Sequence, residues 1–543
     1  MRPTDLESSG VIGYWRRDDS HFPRSMSAQL WDLFVPAYRK GTAEGFERCG
    51  SVISHFDLRR EQGAIYSRRC LRTEPDAIPG DTEALREAAR RVFESRIWNQ
   101  DRGRWTREQN AMRERLLNIG SLDLAVMDQD SLRQHVETLR RMFVDGLTGH
   151  FVRQPVSMIP VGDWLRRAHD WTATPIPTLV GMLRGASPGS VRCREAVGNI
   201  IDAVGHHEHA RAILENPALP GAARLDALSG LSPEAGRRVR EYLGEYGDRV
   251  IAGFDLTDLT LRETPGAIVS IIAARLTRVR DPDPEPDSAE LERVRSAVPA
   301  DCRTTFDEGL AEARSAYGLH DEDLGVSYLW PLGLLRRATL ELAGRAVIDG
   351  RLEHAPDVFH LTIDELDALL DGSGPAKSEI TRRGTVLTGA DGVVRPTLGV
   401  PPAPPHDLDS ASARVHDAIT CYLEHMEHSV APGVPAVRNR IDGIGASPGV
   451  YEGRGRIVRT GAELDNLMQG DILIAETLSP AYSVFLPLVG AVVTDRGGVL
   501  CHAAIVAREL GVPAVVGTQS ATVQIPDGAL LRVDGARGWV EVQ

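Results

Sequence analysis

The feature that most constrains this 543-residue chain is a change of texture near Arg438. Before it, apolar positions recur at three- and four-residue intervals between polar faces, which is the period of amphipathic helices. TEALREAARRVFESRIW, RRVREYLGEYG and GLLRRATLELAGRAVI are examples. In the last, Leu334, Leu335, Ala338, Leu342 and Ala346 share one side, and Pro331 just upstream suits a helix start. After Arg438 come short Val- and Ile-rich runs, namely GRIVRT, DILIAET, GAVVTD, PAVVG, ALLRVDG and GWVEV, separated by Gly-containing turns. About 100 residues written that way make a compact α/β domain. The expectation is a mainly α region over 1–430, a hinge linker at 431–440 and a small α/β domain over 441–543. Within the first region RRGTVLTGADGVVRP suggests a small hairpin insert in 374–405, while DPDPEPD and the proline-rich VPPAPPHD read as breaks between helices.

Composition then removes several function classes. No apolar run approaches the ~20 residues of a membrane span, so no membrane partner is expected. A net charge of −14 disfavours gripping phosphate backbones, so nucleic acid is not expected either. Of the 62 basic residues only Lys40 and Lys377 are lysines, and neither stands in a Gly-Lys-Ser/Thr loop, so ATP is not expected to bind through a P-loop. Six cysteines are scattered with no CxxC pair, which fits reduced thiols rather than disulfides or zinc. With an N-terminus that lacks an apolar signal core, the expected compartment is the cytoplasm. GHHEHAR holds three histidines without HExxH spacing, and His425 and His428 stand three apart; no metal ligand set is read from either.

The stretch that carries chemistry is TDRGGVLCHAAIVARELGVPAVVG, residues 494–517. A strand runs into Gly497 and Gly498, and a helix opens around Cys501 and His502. Unpaired backbone N–H groups and the positive end of the helix dipole converge at such a start, which stabilises an incoming phosphate and disfavours imidazolium. A neutral imidazole nitrogen is nucleophilic, and glycines ahead of it let backbone approach a bulky anion. The pattern is that of a phosphohistidine site.

This stretch resembles the phosphohistidine swivelling domain of the phosphoenolpyruvate synthase, pyruvate phosphate dikinase and rifampin phosphotransferase superfamily, where GG, a CH or TH pair, AAIVAREL and GVPAVVG recur in that order. The resemblance continues through GIGASPGVYEGRGRIV (443–458) and IPDGALLRVDGARGWVEV (525–542). It implies that His502 is the phosphoryl carrier, with Arg496, Gly497, Gly498 and Cys501 around the phosphate. Leu500 stands where the synthases usually have a regulatory threonine. Arg508, six residues past His502 and about 240° around a helix, suits a structural pairing as well as a ligand contact.

A weaker resemblance, carried by WRRDDSHFPRSMS, YLGEYGDRVIAGFDLTDLTLRETP and GLLRRATLELAGRAVIDGRLEHAPDVFHLTIDEL, is to the helical acceptor-binding region of the rifampin phosphotransferase group. It makes Asp18, His21, Asp248, Arg249, Asp255 and Glu263 acceptor-side candidates. Gly247, Asp248 and Arg249 replace a usual GHR, and the acidic HDEDLG (320–325) replaces expected basic contacts, which argues against rifampin as acceptor. Neither an ATP-grasp domain nor a phosphoenolpyruvate barrel is recognised. The resemblance therefore implies a cytoplasmic phosphotransferase of secondary metabolism that acts on a small molecule, uses Mg2+, and reaches ATP only through an ATP-grasp partner protein. Two alternatives stay open: a relative that uses the cleft and His502 directly as acid or base, as in a dehydration, and a non-catalytic binding subunit.

Overall fold

The computed structural model describes residues 13–251, 253–276, 285–388, 395–427 and 439–543. They form two compact units: Met1–Ile159 with Phe254–Thr257 and Val326–Asp417, and Pro160–Gly253 with Asp258–Gly325 and Ala418–Gln543.

The first unit is mainly helical. Helix Ala28–Arg48 starts at Ser27, whose hydroxyl caps the N–H of Leu30, and it buries Leu30, Phe34, Ala37 and Phe46. Helix Trp330–Ile348 has Pro331 in its first turn, where the missing N–H costs nothing, and its five-residue apolar stripe is buried throughout. Beside the helices lies a four-stranded antiparallel sheet of β1 (Trp15–Arg17), β2 (Ile53–Glu61), β3 (Ala64–Leu71) and β4 (Thr397–Leu398), in the order β2-β3-β1-β4. The sheet is an addition to the helical reading of this region. Gln62 and Gly63, both at positive φ, make the two-residue turn that joins β2 to β3.

The hairpin expected in 374–405 is corrected over its first half, where residues 377–388 are helix Lys377–Thr388. Glu379 pairs with Arg382 and Arg383 at three and four residues' spacing, and Arg383 also forks onto Glu365, so side-chain pairing outweighs the strand-like Thr-Val-Leu. β4 then pairs with β1 rather than with a sequence neighbour. Residues 389–394, most of DPDPEPD and hinge residues 431–438 lie outside the described residues.

The second unit joins a helical part to an eight-stranded sheet. Its helices include Pro188–Val204, Pro233–Tyr242, Pro265–Leu276 and Arg303–Tyr317, with the end of helix Ser410–Glu427. Gly162 lets that last helix approach closely, since a Cβ there would lie 1.9 Å from the carbonyl oxygen of Ala418. The sheet comprises β5 (Arg440–Asp442), β6 (Ile444–Ser447), β7 (Val450–Val458), β8 (Ile472–Ala475), β9 (Ala491–Thr494), β10 (Ala514–Val516), β11 (Leu530–Asp534) and β12 (Trp539–Val542), in the order β5-β12-β11-β7-β8-β9-β10-β6. β7 to β10 run parallel at its centre. β8 and β9 are buried at every position, which is why they read as unbroken apolar runs rather than alternating ones. A mainly α region is thus followed by a small sheet domain. Among the described residues, no helix is long and apolar enough to cross a membrane.

Candidate functional site

β9 delivers the chain to a loop, 495–501, that ends at helix His502–Leu510. Buried Asp495 fixes the start of the loop: it accepts from Thr518 Oγ1 at 3.1 Å and from the backbone and hydroxyl of Thr522. Gly497 takes φ +102°, and a Cβ there would sit 2.6 Å from Cys501 Sγ, so both backbone and space call for glycine. Gly498 donates its N–H to the carbonyl of Met426 at 2.9 Å, Leu500 to that of His425 at 3.0 Å, and Cys501 to that of Gly498 at 3.1 Å. Cys501 is the N-cap residue, and the helix begins without a side-chain cap. His502 opens the helix and is 9% exposed. The half-buried side chain of Arg496 extends from the same loop.

The far end of this helix is anchored. Arg508 is buried and donates to the carbonyls of Val499 and Ala446 at 2.6 and 2.8 Å and to the hydroxyl of Tyr317 at 2.6 Å, so it holds the loop ahead of His502 in place. Buried Glu509 accepts the N–H of Gly185 at 3.0 and 3.1 Å. Burial pushes its carboxyl up to about 7, although the N–H groups of Gly185, Ala186 and Ser187 and the charge of Arg508 pull the other way. Gly511, in the left-handed region, ends the helix.

The acceptor-side candidates divide between the units. In the first unit Asp18 accepts from the backbone N–H of His21 at 3.2 Å and meets its ring Nδ1 at 2.9 Å. Burial would raise the Asp18 carboxyl, but the adjacent His21 charge and hydrogen bonds outweigh it and leave it below the usual carboxylate value. Asp255 accepts from the N–H of Ser27 at 2.8 Å and from Thr257, which ties the Phe254–Thr257 segment to the loop after Asp18. The His21 and Phe254 rings lie 6.3 Å apart. Two distant sequence motifs therefore meet here. In the second unit Asp248 is buried in a fork with Arg262 at 3.0 and 3.1 Å, Arg249 lies over the Tyr246 ring at 4.4 Å, and Glu263 closes a capping box with Thr260. Asp248, Asp255 and Glu263 are thus held in bonds that shape their own loops.

Comparison with known proteins bears on both regions. Residues 467–538 match the mobile domain of PEP-utilising enzymes, and residues 163–318 match the fourth domain of rifampicin phosphotransferase. The chain fits the phosphoenolpyruvate-utilising superfamily. It is 27% identical to a rifampicin phosphotransferase of Streptomyces sp. over 366 residues, 63% of this chain and 39% of that protein. A phosphoenolpyruvate synthase of Aeropyrum pernix is 46% identical over 115 residues, 21% of this chain and 14% of that protein. An uncharacterized protein of Mycobacterium tuberculosis is 29% identical over 434 residues, 76% of this chain and 45% of that protein. The chain spans less than half the length of these relatives.

Enzymes of this superfamily generally use Mg2+ and ATP. Among the described residues, Cys70, Glu74 and Asp76 converge closely enough to hold a cation. They do not suit magnesium, because the cluster includes a thiol and the Arg68 guanidinium already bridges both carboxylates. Sequence reasoning passed over Asp495 and Glu509. Asp495 lay inside the quoted motif, but a carboxylate that anchors a loop looks the same in sequence as one on a surface.

Proposed function

We propose that this chain is a phosphotransferase in which His502 receives a phosphoryl group and passes it to a hydroxyl or enol oxygen of a small molecule. The observation that carries this reading is the helix that opens on His502 directly behind Gly497, which takes φ +102°, and Gly498. The first turn of a helix directs backbone N–H groups and the positive dipole end at phosphate oxygens. In the first step an imidazole nitrogen attacks the donor phosphorus, a P–N bond forms and the donor P–O bond breaks. In the second the acceptor oxygen attacks, the P–N bond breaks and the acceptor proton leaves to a base.

Of the acceptor-side candidates, Asp18 and His21 suit that base. When His21 is neutral and donates its Nδ1–H to Asp18, the lone pair lies on Nε2, as proton abstraction requires. Arg496 beside the glycines suits the phosphate. ATP enters in this reading through an ATP-grasp partner protein, and Mg2+ arrives with its phosphates and neutralises their charge. The test is to incubate the chain with ATP and that partner and to seek acid-labile, base-stable phosphate. Label on the wild type that disappears in His502→Ala supports the carrier role. Equal label on both proteins contradicts it, and the direct acid or base role would then be the better account.

A further inference from the structure

Among the described residues, the contacts by which 439–543 meet the helices of their own unit include four polar sets. Two are carboxylates placed on helix starts. Asp465 accepts the N–H of Ala267 at 2.8 Å in the first turn of helix Pro265–Leu276. Glu509 accepts that of Gly185 on the turn leading into helix Pro188–Val204. Such N–H groups have no partner within the helix, so a carboxyl oxygen there, charged or protonated, can accept in place of water. The third contact is Arg508 on Tyr317, and the fourth engages the Gly498 and Leu500 amides with the end of helix Ser410–Glu427. With all four made, His502 is 9% exposed. Transfer needs reacting atoms within about 3–3.5 Å, so this arrangement stores the imidazole rather than offering it.

We propose that Asp465 and Glu509 are the two catches of a resting dock that keeps His502 stowed and must open before phosphoryl transfer. The purpose of the dock rests on the carrier reading above; the contacts do not. Glu509 makes the dock pH-sensitive. Its carboxyl titrates at about 7 when docked, against 4.5 for an ordinary glutamate, so the protonated form favours docking. Docking is at full strength below pH 4.5, weakens as pH rises toward about 7, and is weakest above that. The charge that acts on Glu509 is that of Arg508 beside it, and the segments it meets carry Arg184 on the receiving turn, Arg314 bonded to the carbonyls of Met182 and Arg184, Tyr317 bonded to Arg508, and Arg192 paired with Glu322. Arginine keeps its charge throughout. His502 also belongs to the interface, to which His425 lends its backbone carbonyl, and Glu509→Gln keeps both histidines.

Diethyl pyrocarbonate acylation, read histidine by histidine in the full chain by peptide mass spectrometry, tests the dock. His209, with its side chain 75% exposed, serves as reference. The His502-to-His209 ratio is expected to rise about tenfold between roughly pH 5.5 and 8 in the wild type. It should stay low and flat in Glu509→Gln, and be higher at every pH in Asp465→Ala. A flat wild-type ratio, a Glu509→Gln ratio that tracks wild type, or an Asp465→Ala ratio equal to wild type would overturn the proposal. If Glu509→Gln does not fold, hydrogen exchange at the Ala267 and Gly185 amides of the wild type decides, after correction for intrinsic rates. Protection that falls as pH rises supports the dock, and constant protection overturns it. Acylation needs no phosphate, so a chain that never carries phosphate on His502 can still show the dock, and a failed dock leaves the carrier reading standing.

Discussion

His502 and Glu509 stand seven residues apart, about two turns, and so share one face of a nine-residue helix. One end of that face holds the histidine proposed as nucleophile and the other an anchor, with Arg508 between them fixing the loop in front. Single residues elsewhere are separable by whether they act on chemistry or on shape. Asp248→Ala leaves Arg262 without its fork and should lower stability by about 1–3 kcal/mol in urea titration, with phosphate loading of the folded protein unchanged. Asp18 gives a pH signature. Because its carboxyl ionises below the ordinary 3.8, it adds stability above that pH and loses it as pH falls through the native value. Asp18→Asn should therefore be less stable than wild type at neutral pH, and the gap should shrink as pH falls below 3.8; a gap that does not change with pH would show that the pair is not held by charge.

At the scale of elements, the decisive local structure is the β9 loop and the helix it feeds. Gly497→Ala forces a side chain into left-handed backbone and onto Cys501 Sγ, at a cost of about 1–3 kcal/mol. Slower labelling of His502 with an otherwise intact circular dichroism spectrum is the expected result, and unchanged labelling would show that the loop tolerates the shift. This segment was legible in the sequence because glycines, strand and helix punctuate it within a few residues. Each Val- and Ile-rich run after Arg438 likewise holds one strand. β5 and β6 escaped notice since three- and four-residue edge strands carry too few side chains to show a period. The β2–β3 hairpin was lost among Arg-rich helices, although the Gln62-Gly63 turn was a usable signal. Helix Lys377–Thr388 was misread because its Glu-Arg pairing outweighs its β-branched residues. Arg508 could not be resolved by spacing alone, as its partners Ala446 and Tyr317 lie far off in sequence.

For the whole molecule, the meeting of WRRDDSHFPRSMS with Phe254–Thr257 in one unit, and of the His502 helix with Gly185 and Tyr317 in the other, are tertiary facts no periodicity encodes. They put Asp18 and His21, proposed for the acceptor side, in one unit and His502, proposed as the carrier, in the other. The account stands or falls on whether His502 accepts phosphate. Phosphoramidate, a small donor that needs no partner protein, can be supplied to the full chain at about pH 8, where the proposed dock is weakest. Phosphate on each histidine is then mapped by mass spectrometry under basic conditions. The account expects phosphate to accumulate on His502 ahead of the far more exposed His209, and that His502→Ala removes this fast phase alone. Phosphate on His209 with His502 bare would contradict it.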